Sequence, residues 1–301
     1  MSQPAAHHVP VLLAELLRLL SPAGRGVLVD CTVGAGGHAE ALLAAAGPEA
    51  RLIGIDLDEA CLALARRRLE RFGGRVRLFA ANFSDVAAVL AEAGEERADL
   101  LLADLGVASC QLDDPLRGLS FQADGPLDMR LSGAAGATAA ELVNRLGERE
   151  LADLIYRFGQ ERYSRRIARA IVRQRRQRRI ERTAELARLV ASAVPAAARR
   201  ARRGVHPATR TFQALRIAVN DELGNLERLL AALPAVLAAG ARAGIVSFHS
   251  LEDGLVKRAF REMAHRGVAV VLTDKPVTPG LEETTANPRS RSAKLRAVEK
   301  T

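Results

Sequence analysis

Between Asp30 and Asp58 the chain reads DCTVGAGGHAEALLAAAGPEARLIGIDLD, and this segment constrains the fold more than any other. A short apolar run, Val27-Leu28-Val29, ends in Asp30. Gly34, Gly36 and Gly37 follow, then an alanine-rich helical stretch and a second apolar run, Leu52 to Ile55, that ends in Asp56. Apolar run, glycine turn, helix and apolar run make a βαβ unit, which belongs to a parallel sheet. Glycines let the backbone approach a ligand closely, and the start of a helix exposes amides. An acid about 20 residues beyond such a turn is the usual acceptor for ribose hydroxyls. The segment points to a cofactor that contains a nucleoside.

Which nucleoside is a separate question. Gly34-x-Gly36-x-x-Ala39 satisfies the dinucleotide pattern, so an NAD-type site stays open, as does an ordinary strand-to-helix turn. Asp30 weighs against the dinucleotide. A pyrophosphate would be repelled by a carboxylate four residues before Gly34, whereas a cofactor with a cationic amino-acid end, such as S-adenosylmethionine, would be drawn to it.

The remaining apolar runs extend the same architecture. Strands are expected at Val27–Asp30, Arg51–Asp56, Val76–Ala81 and Leu100–Asp104, with helices at Ala39–Ala46, Glu59–Phe72 and Ser84–Ala93 between them. The alternation then stops. From about Gln111 to Arg203 only helical stretches are evident: Thr138–Leu146, Glu148–Phe158, Ser164–Arg178 and Thr183–Val194. Strand-like runs return at Gly244–His249 and Val268–Thr273, around a helical Leu251–Ala264. This is one α/β domain, 1–110 and 204–301, interrupted by an all-helical insertion at 111–203.

At 301 residues and 49% hydrophobic content the chain can bury a substantial core. No run of 18 apolar residues occurs, so no membrane association is expected, and the N-terminus reads as an amphipathic first helix. Cys31, Cys61 and Cys110 are odd in number and widely spaced, which suits a reducing cytoplasm and no metal site. The net charge of +9 favours a polyanionic partner, although only four of the basic residues are lysines and the arginine excess also reads as coding bias. The charge is densest at Glu161–Arg182, with ten arginines, followed by Arg199, Arg200, Arg202 and Arg203. Ile167 and Ile171 form a narrow apolar stripe there, so a solvated helix face competes with phosphate contact. Tyr156, Phe158 and Tyr163 read as packing residues rather than base-stacking ones.

Past Leu100 the text becomes specific. ADLLLADLGVASCQLDDPLRGLSFQADGPLDMR sets Asp104 at a strand end, and GVHPATRTFQALRIAVNDEL, VSFHSLEDGLVKRAF and NPRSRSAKLR follow. Together with the AGGH turn and the opening His8-Val9-Pro10-Val11-Leu12-Leu13, these motifs closely resemble the ribosomal RNA small subunit methyltransferase H family, of MraW type, over nearly the whole chain.

The resemblance implies a Rossmann-like S-adenosylmethionine-dependent methyltransferase sheet. It implies methyl transfer to the exocyclic N4 amine of a cytidine in the decoding region of 16S rRNA, and the arginine-dense insertion is the expected RNA-recognition domain. It maps cofactor contacts onto Gly36, Gly37, His38, Asp56, Phe83, Asp104 and Gln111. The partner is the small ribosomal subunit or its 16S rRNA, and a homodimer is compatible with the chain. Asp104-Leu105-Gly106-Val107 retains the acid of the motif that many amino-methyltransferases carry after the fourth strand, but not its prolines or aromatic residue. Asp104 is thus the candidate for orienting the amine. Asp85 is an alternative acceptor for the adenine, and His38 is also readable as a capping or packing residue. His206 and His249 read as loop anchors, and Asp113, Asp114 and Asp128 as caps and turns. A non-catalytic rRNA-binding assembly factor and an NAD-dependent oxidoreductase remain the competing functions.

Overall fold

The computed structural model describes residues 10–301 except 22, 25, 113, 133–135 and 202–204. His8, Val9, Asp113, Arg202 and Arg203 therefore lie outside the described residues. Contacts divide the chain into two compact units, 1–106 with 224–301, and 107–223. The sequence reading sets the insertion at 111–203. The contact division extends it to 223 because the helix Thr209–Asn220 packs on Glu148–Gly159 of the insertion.

The first unit runs α1 (Leu13–Leu20), β1 (Val27–Asp30), α2 (Gly37–Ala46), β2 (Arg51–Asp56), α3 (Glu59–Leu69), β3 (Val76–Ala80), α4 (Val86–Glu92) and β4 (Ala98–Asp104). The second unit carries α5 (Ser109–Leu112), α6 (Ala139–Arg145), α7 (Glu148–Gly159), α8 (Ser164–Arg175), α9 (Thr183–Ala193), α10 (Ala196–Ala201) and α11 (Thr209–Asn220). The chain then continues with α12 (Glu222–Val236), β5 (Leu237–Ser247), α13 (Ser250–His265), β6 (Ala269–Val271), α14 (Leu281–Ala286) and β7 (Lys294–Lys300).

Seven strands form one sheet in the order β3-β2-β1-β4-β5-β7-β6. The first five positions pair in parallel, and β7 runs antiparallel to both β5 and β6. Side-chain alternation builds two cores. Val29, Ile53 and Leu101 face one way and meet Leu90, Leu229 and Phe260; Leu28, Leu52 and Leu100 face the other and meet Leu16, Leu42 and Leu62. Burial on both faces is what a continuous apolar strand such as VLVD requires. It also leaves the C-terminal strand ends as the open edge where polar residues can gather.

β7 was not expected, and its composition explains why. Four of the seven residues of KLRAVEK are charged, yet Leu295, Arg296, Ala297 and Val298 are all buried. The charges are matched locally: Arg296 and Lys294 meet Asp253 at 2.7 and 3.4 Å, and Glu299 meets Arg242 at 2.7 Å. β5 begins seven residues before the expected strand, because its glycine- and alanine-rich first half lacks strand-forming side chains.

The second unit has its own core, in which Ile155, Ile167, Ile171, Leu186, Val190 and Leu215 meet. Thr138 and Glu141 close a capping box at the start of α6. On α8 the buried face is Ile167, Ala168 and Ile171, while Arg165, Arg166, Arg169 and Arg173 are exposed on the opposite arc. Arg169 pairs with Glu148, but Arg165, Arg166, Arg173 and the following Arg176 meet no carboxylate among the described residues. Tyr163 packs against this core as expected; Tyr156, however, is 61% exposed.

Candidate active site

The glycine turn is held by three different constraints. Gly34 and Gly36 have φ of 51° and 82°, the left-handed region that side chains disfavour. Gly37 opens α2, and a Cβ there would sit 2.7 Å from Pro10 Cγ. Close packing of the N-terminal segment, rather than approach of a ligand, thus accounts for the third glycine. The Gly34 amide donates to Asp56 Oδ2 at 2.9 Å and the Gly36 amide to the Val33 carbonyl at 2.8 Å. These two are engaged within the protein. The first turn of α2 has no side-chain cap, so its amides are the ones that remain for a ligand.

Three carboxylates stand at strand ends around this turn. Asp30, at the end of β1, is 1% exposed; its Oδ1 accepts from the Thr32 amide at 3.1 Å. Asp104, at the end of β4, is tied in through its backbone amide, which donates to Thr32 Oγ1 at 2.6 Å. Asp30 Oδ2 and Asp104 Oδ1 are buried without a hydrogen-bond partner among the described residues. Burial pushes the Asp30 carboxyl up to about 7, with Asp104 and Asp56 adding to the rise and His38 and the Thr32 amide opposing it. Burial likewise pushes Asp104 up to about 7. Asp56, at the end of β2, is raised by burial and eased by the amides of Asp58 and Gly34. Each of its oxygens takes one of those amides, leaving lone pairs on both for further donors.

His38 lies in the first turn of α2 with its ring buried. Nε2 is 2.9 Å from the Val11 carbonyl, an acceptor only, so Nε2 carries the hydrogen and Nδ1 is the basic nitrogen. Nδ1 stands 3.5 Å from Asp104 Oδ2. Burial lowers the pKa of the ring, against the pull of Asp30 and the Val11 bond. The side chain therefore neither caps the helix nor serves as inert packing; it faces Asp104.

Phe83 follows β3 in a short 3-10 turn, half-buried against the core. Asp85 is exposed beside it. Gln111 belongs to the second unit, where its Oε1 accepts from the Ala108 amide at 2.9 Å. His206 is exposed against Phe121, and His249 caps α13. Asp114 caps a 3-10 turn, and Asp128 holds Arg130 at 2.7 Å. Cys31 is buried, and its thiol is pushed well above its ordinary range by burial, so it is no nucleophile at neutral pH. The Cys110 side chain lies outside the described residues. Sequence reasoning singled out Asp56, Asp104 and His38 separately. It missed Thr32, which links the first and fourth strand ends, and the contact between His38 and Asp104, which no spacing in the sequence encodes.

A sheet of this order with an antiparallel seventh strand, and acids at the ends of β1, β2 and β4, defines a Rossmann-like methyltransferase. Within that class the chain belongs to the MraW methylase family, whose profile matches residues 5–301. It is 54% identical over 291 residues to the ribosomal RNA small subunit methyltransferase H of Sorangium cellulosum, covering 97% of this chain and 90% of that one. The protein of the same name from Acidobacterium capsulatum is 51% identical over 300 residues, covering 97% and 98%. That from a Geobacter species is 49% identical over 309 residues, covering 98% of each chain. Among the described residues no helix is long and apolar enough to cross a membrane.

Proposed function

We propose that this chain methylates the exocyclic N4 amine of one cytidine in the decoding region of 16S rRNA, using S-adenosylmethionine. The observation that carries the reading is the pair of buried, unpartnered carboxylate oxygens on Asp30 and Asp104. Carboxyls raised to about 7 are uncompensated acids that a cation would relieve. S-adenosylmethionine, with its sulfonium and ammonium groups, fits such a crevice, and it supplies an activated methyl group when bound. A dinucleotide pyrophosphate does not fit, which disfavours the oxidoreductase reading. An assembly factor without catalysis would have no use for the buried acids.

In this reading Asp56 accepts the ribose hydroxyls, Phe83 offers an apolar face to the adenine, and the open amides of Gly37 and His38 take the carboxylate end. The family resemblance assigns Gln111 a further cofactor contact. Asp104 Oδ1 accepts a hydrogen from the target amine. A cytosine amine is a weak nucleophile because its lone pair is delocalised into the ring, and an acceptor on its hydrogen localises that pair. Positioning alone is worth several kcal/mol and up to about 7–11 in favourable cases. The amine lies on the Watson–Crick edge, so the base must be unpaired or flipped. The relatives' name supports a small-subunit rRNA substrate, and the unpaired arginines along α8 support phosphate contact by the insertion. An rRNA substrate also favours a cytoplasmic location.

The test is paired. Calorimetry should detect S-adenosylmethionine but not NAD, and labelled methyl should pass to small subunits from cells lacking the activity. Binding of NAD in preference, or binding of S-adenosylmethionine with no methyl transfer to any small-subunit RNA, contradicts the reading.

A further inference from the structure

The contact between His38 and Asp104 has a consequence for the proton that methylation releases. We propose that Asp104 and His38 act as a proton relay in which His38 Nδ1 is the final acceptor within the protein. This rests on the proposed transfer to an exocyclic amine, and on three observations of the site. The Val11 carbonyl fixes the hydrogen on Nε2 and so leaves Nδ1 free to accept. Nδ1 is 3.5 Å from Asp104 Oδ2, a distance that a small side-chain rotation closes to a hydrogen bond, as catalytic contacts do when a ligand binds. The other Asp104 oxygen, Oδ1, is buried without a hydrogen-bond partner among the described residues, and rotation of the partly exposed carboxyl would present it to the amine.

The steps balance as follows. Before transfer Asp104 is ionised and His38 is neutral. The amine nitrogen forms its bond to the methyl carbon as the carbon–sulfur bond breaks, and that bond's electron pair stays on sulfur. The nitrogen, now cationic, loses one hydrogen to Asp104 Oδ1, which gives a neutral methylamine and a carboxylic acid. A half-turn of the carboxyl brings this hydrogen to the His38 side, and it passes to Nδ1, leaving a carboxylate and an imidazolium. The imidazolium releases its proton to solvent as the products leave.

The surroundings suit the relay. Asp30 on β1, Asp104 on β4 and Glu283 on α14 are the acids that face the His38 ring, and all three stabilise the transient imidazolium. The nearby cation on α3, Arg68, is held by Glu40 at 2.7 Å and adds little opposing charge. Burial raises the Asp104 carboxyl to about 7 and lowers the imidazole, so the hand-over draws on the acids that face the ring and on loss of the proton to solvent.

His38→Gln tests this, since its amide keeps a donor for Val11 but cannot take a proton. S-adenosylmethionine affinity should change less than about threefold, while the single-turnover methylation rate falls about 10- to 100-fold at neutral pH. The residual rate of the variant should rise with the concentration of buffer base, a dependence absent from the wild type, and a merely structural role would not produce it. Independently of activity, nitrogen NMR of labelled His38 should show the Nε2–H tautomer in the wild type, and Asp104→Asn should shift the Nδ1 resonance. A wild-type rate in His38→Gln, a loss confined to cofactor binding, or an Nδ1–H tautomer overturns the relay. Failure of the wild type to methylate an amine overturns the function beneath it, and the NMR result tells the two failures apart.

Discussion

Asp30 and Asp104 stand at the C-terminal ends of two adjacent parallel strands, bridged by Thr32, and each keeps one buried carboxylate oxygen without a hydrogen-bond partner among the described residues. Two raised acids at neighbouring strand ends are costly to hold ionised and are relieved by a bound cation.

Asp30→Asn should therefore stabilise the cofactor-free protein at pH 8 while weakening S-adenosylmethionine binding. The folded-state pKa of about 7 lies above the unfolded value near 3.8, so the native state binds the extra proton. Stability from this group is full below pH about 4 and is lost as pH rises through about 7. Each unit of the shift corresponds to about 1.4 kcal/mol, so the gain at pH 8 is on the order of 2–4 kcal/mol and should vanish near pH 4. Thermal or denaturant unfolding across that pH range reads it. An unchanged pH dependence in the variant removes Asp30 from the account.

Asp56→Ala should lower cofactor affinity by about 1.5–3 kcal/mol, since two ribose hydroxyls lose a charged acceptor. The structure adds a second expectation. The same carboxylate takes the Gly34 and Asp58 amides, so the alanine variant should also loosen the glycine turn, seen as faster amide exchange there. Calorimetry showing wild-type affinity contradicts the ribose role.

The exposed arginines of α8 divide into paired and unpaired ones. Arg165, Arg166, Arg173 and, just past the helix, Arg176 meet no carboxylate among the described residues, whereas Arg169 is held by Glu148 and Arg178, also past the helix, by Glu185. Replacing the four unpaired residues with glutamine should lower the slope of log affinity for RNA against log salt by roughly 3, at about 0.7–0.9 per phosphate. Cofactor binding should not change. An Arg169→Gln control should alter the slope far less. A quadruple variant with the wild-type slope returns this face to simple solvation.

β1, β2 and β4 were legible because they are apolar on both faces and end in acids. The expected Val27–Asp30 and Arg51–Asp56 coincide with β1 and β2. Lys294–Lys300, with four charges in seven residues, was not read as a strand, and the buried pairing of Arg296 with Asp253 was invisible. The polar stretch 204–223 read as loops and helix starts, yet most of it is α11, whose Phe212 and Leu215 join the second unit's core. At the site, the strand-end acids and the glycines were readable from spacing. The reason for Gly37 was not, because Pro10 is distant in sequence, and nor was the pairing of His38 with Asp104, which depends on how α2 meets β4.

The most direct test of the central claim is mass spectrometry of nuclease-digested 16S rRNA after methylation by the wild type and by Asp104→Ala. The wild type should yield a single N4-methylated cytidine in the decoding region, and Asp104→Ala should lose at least about 100-fold of that product, in line with removal of a positioned proton acceptor. A methyl group on a ring carbon, or an undiminished yield from Asp104→Ala, would contradict it.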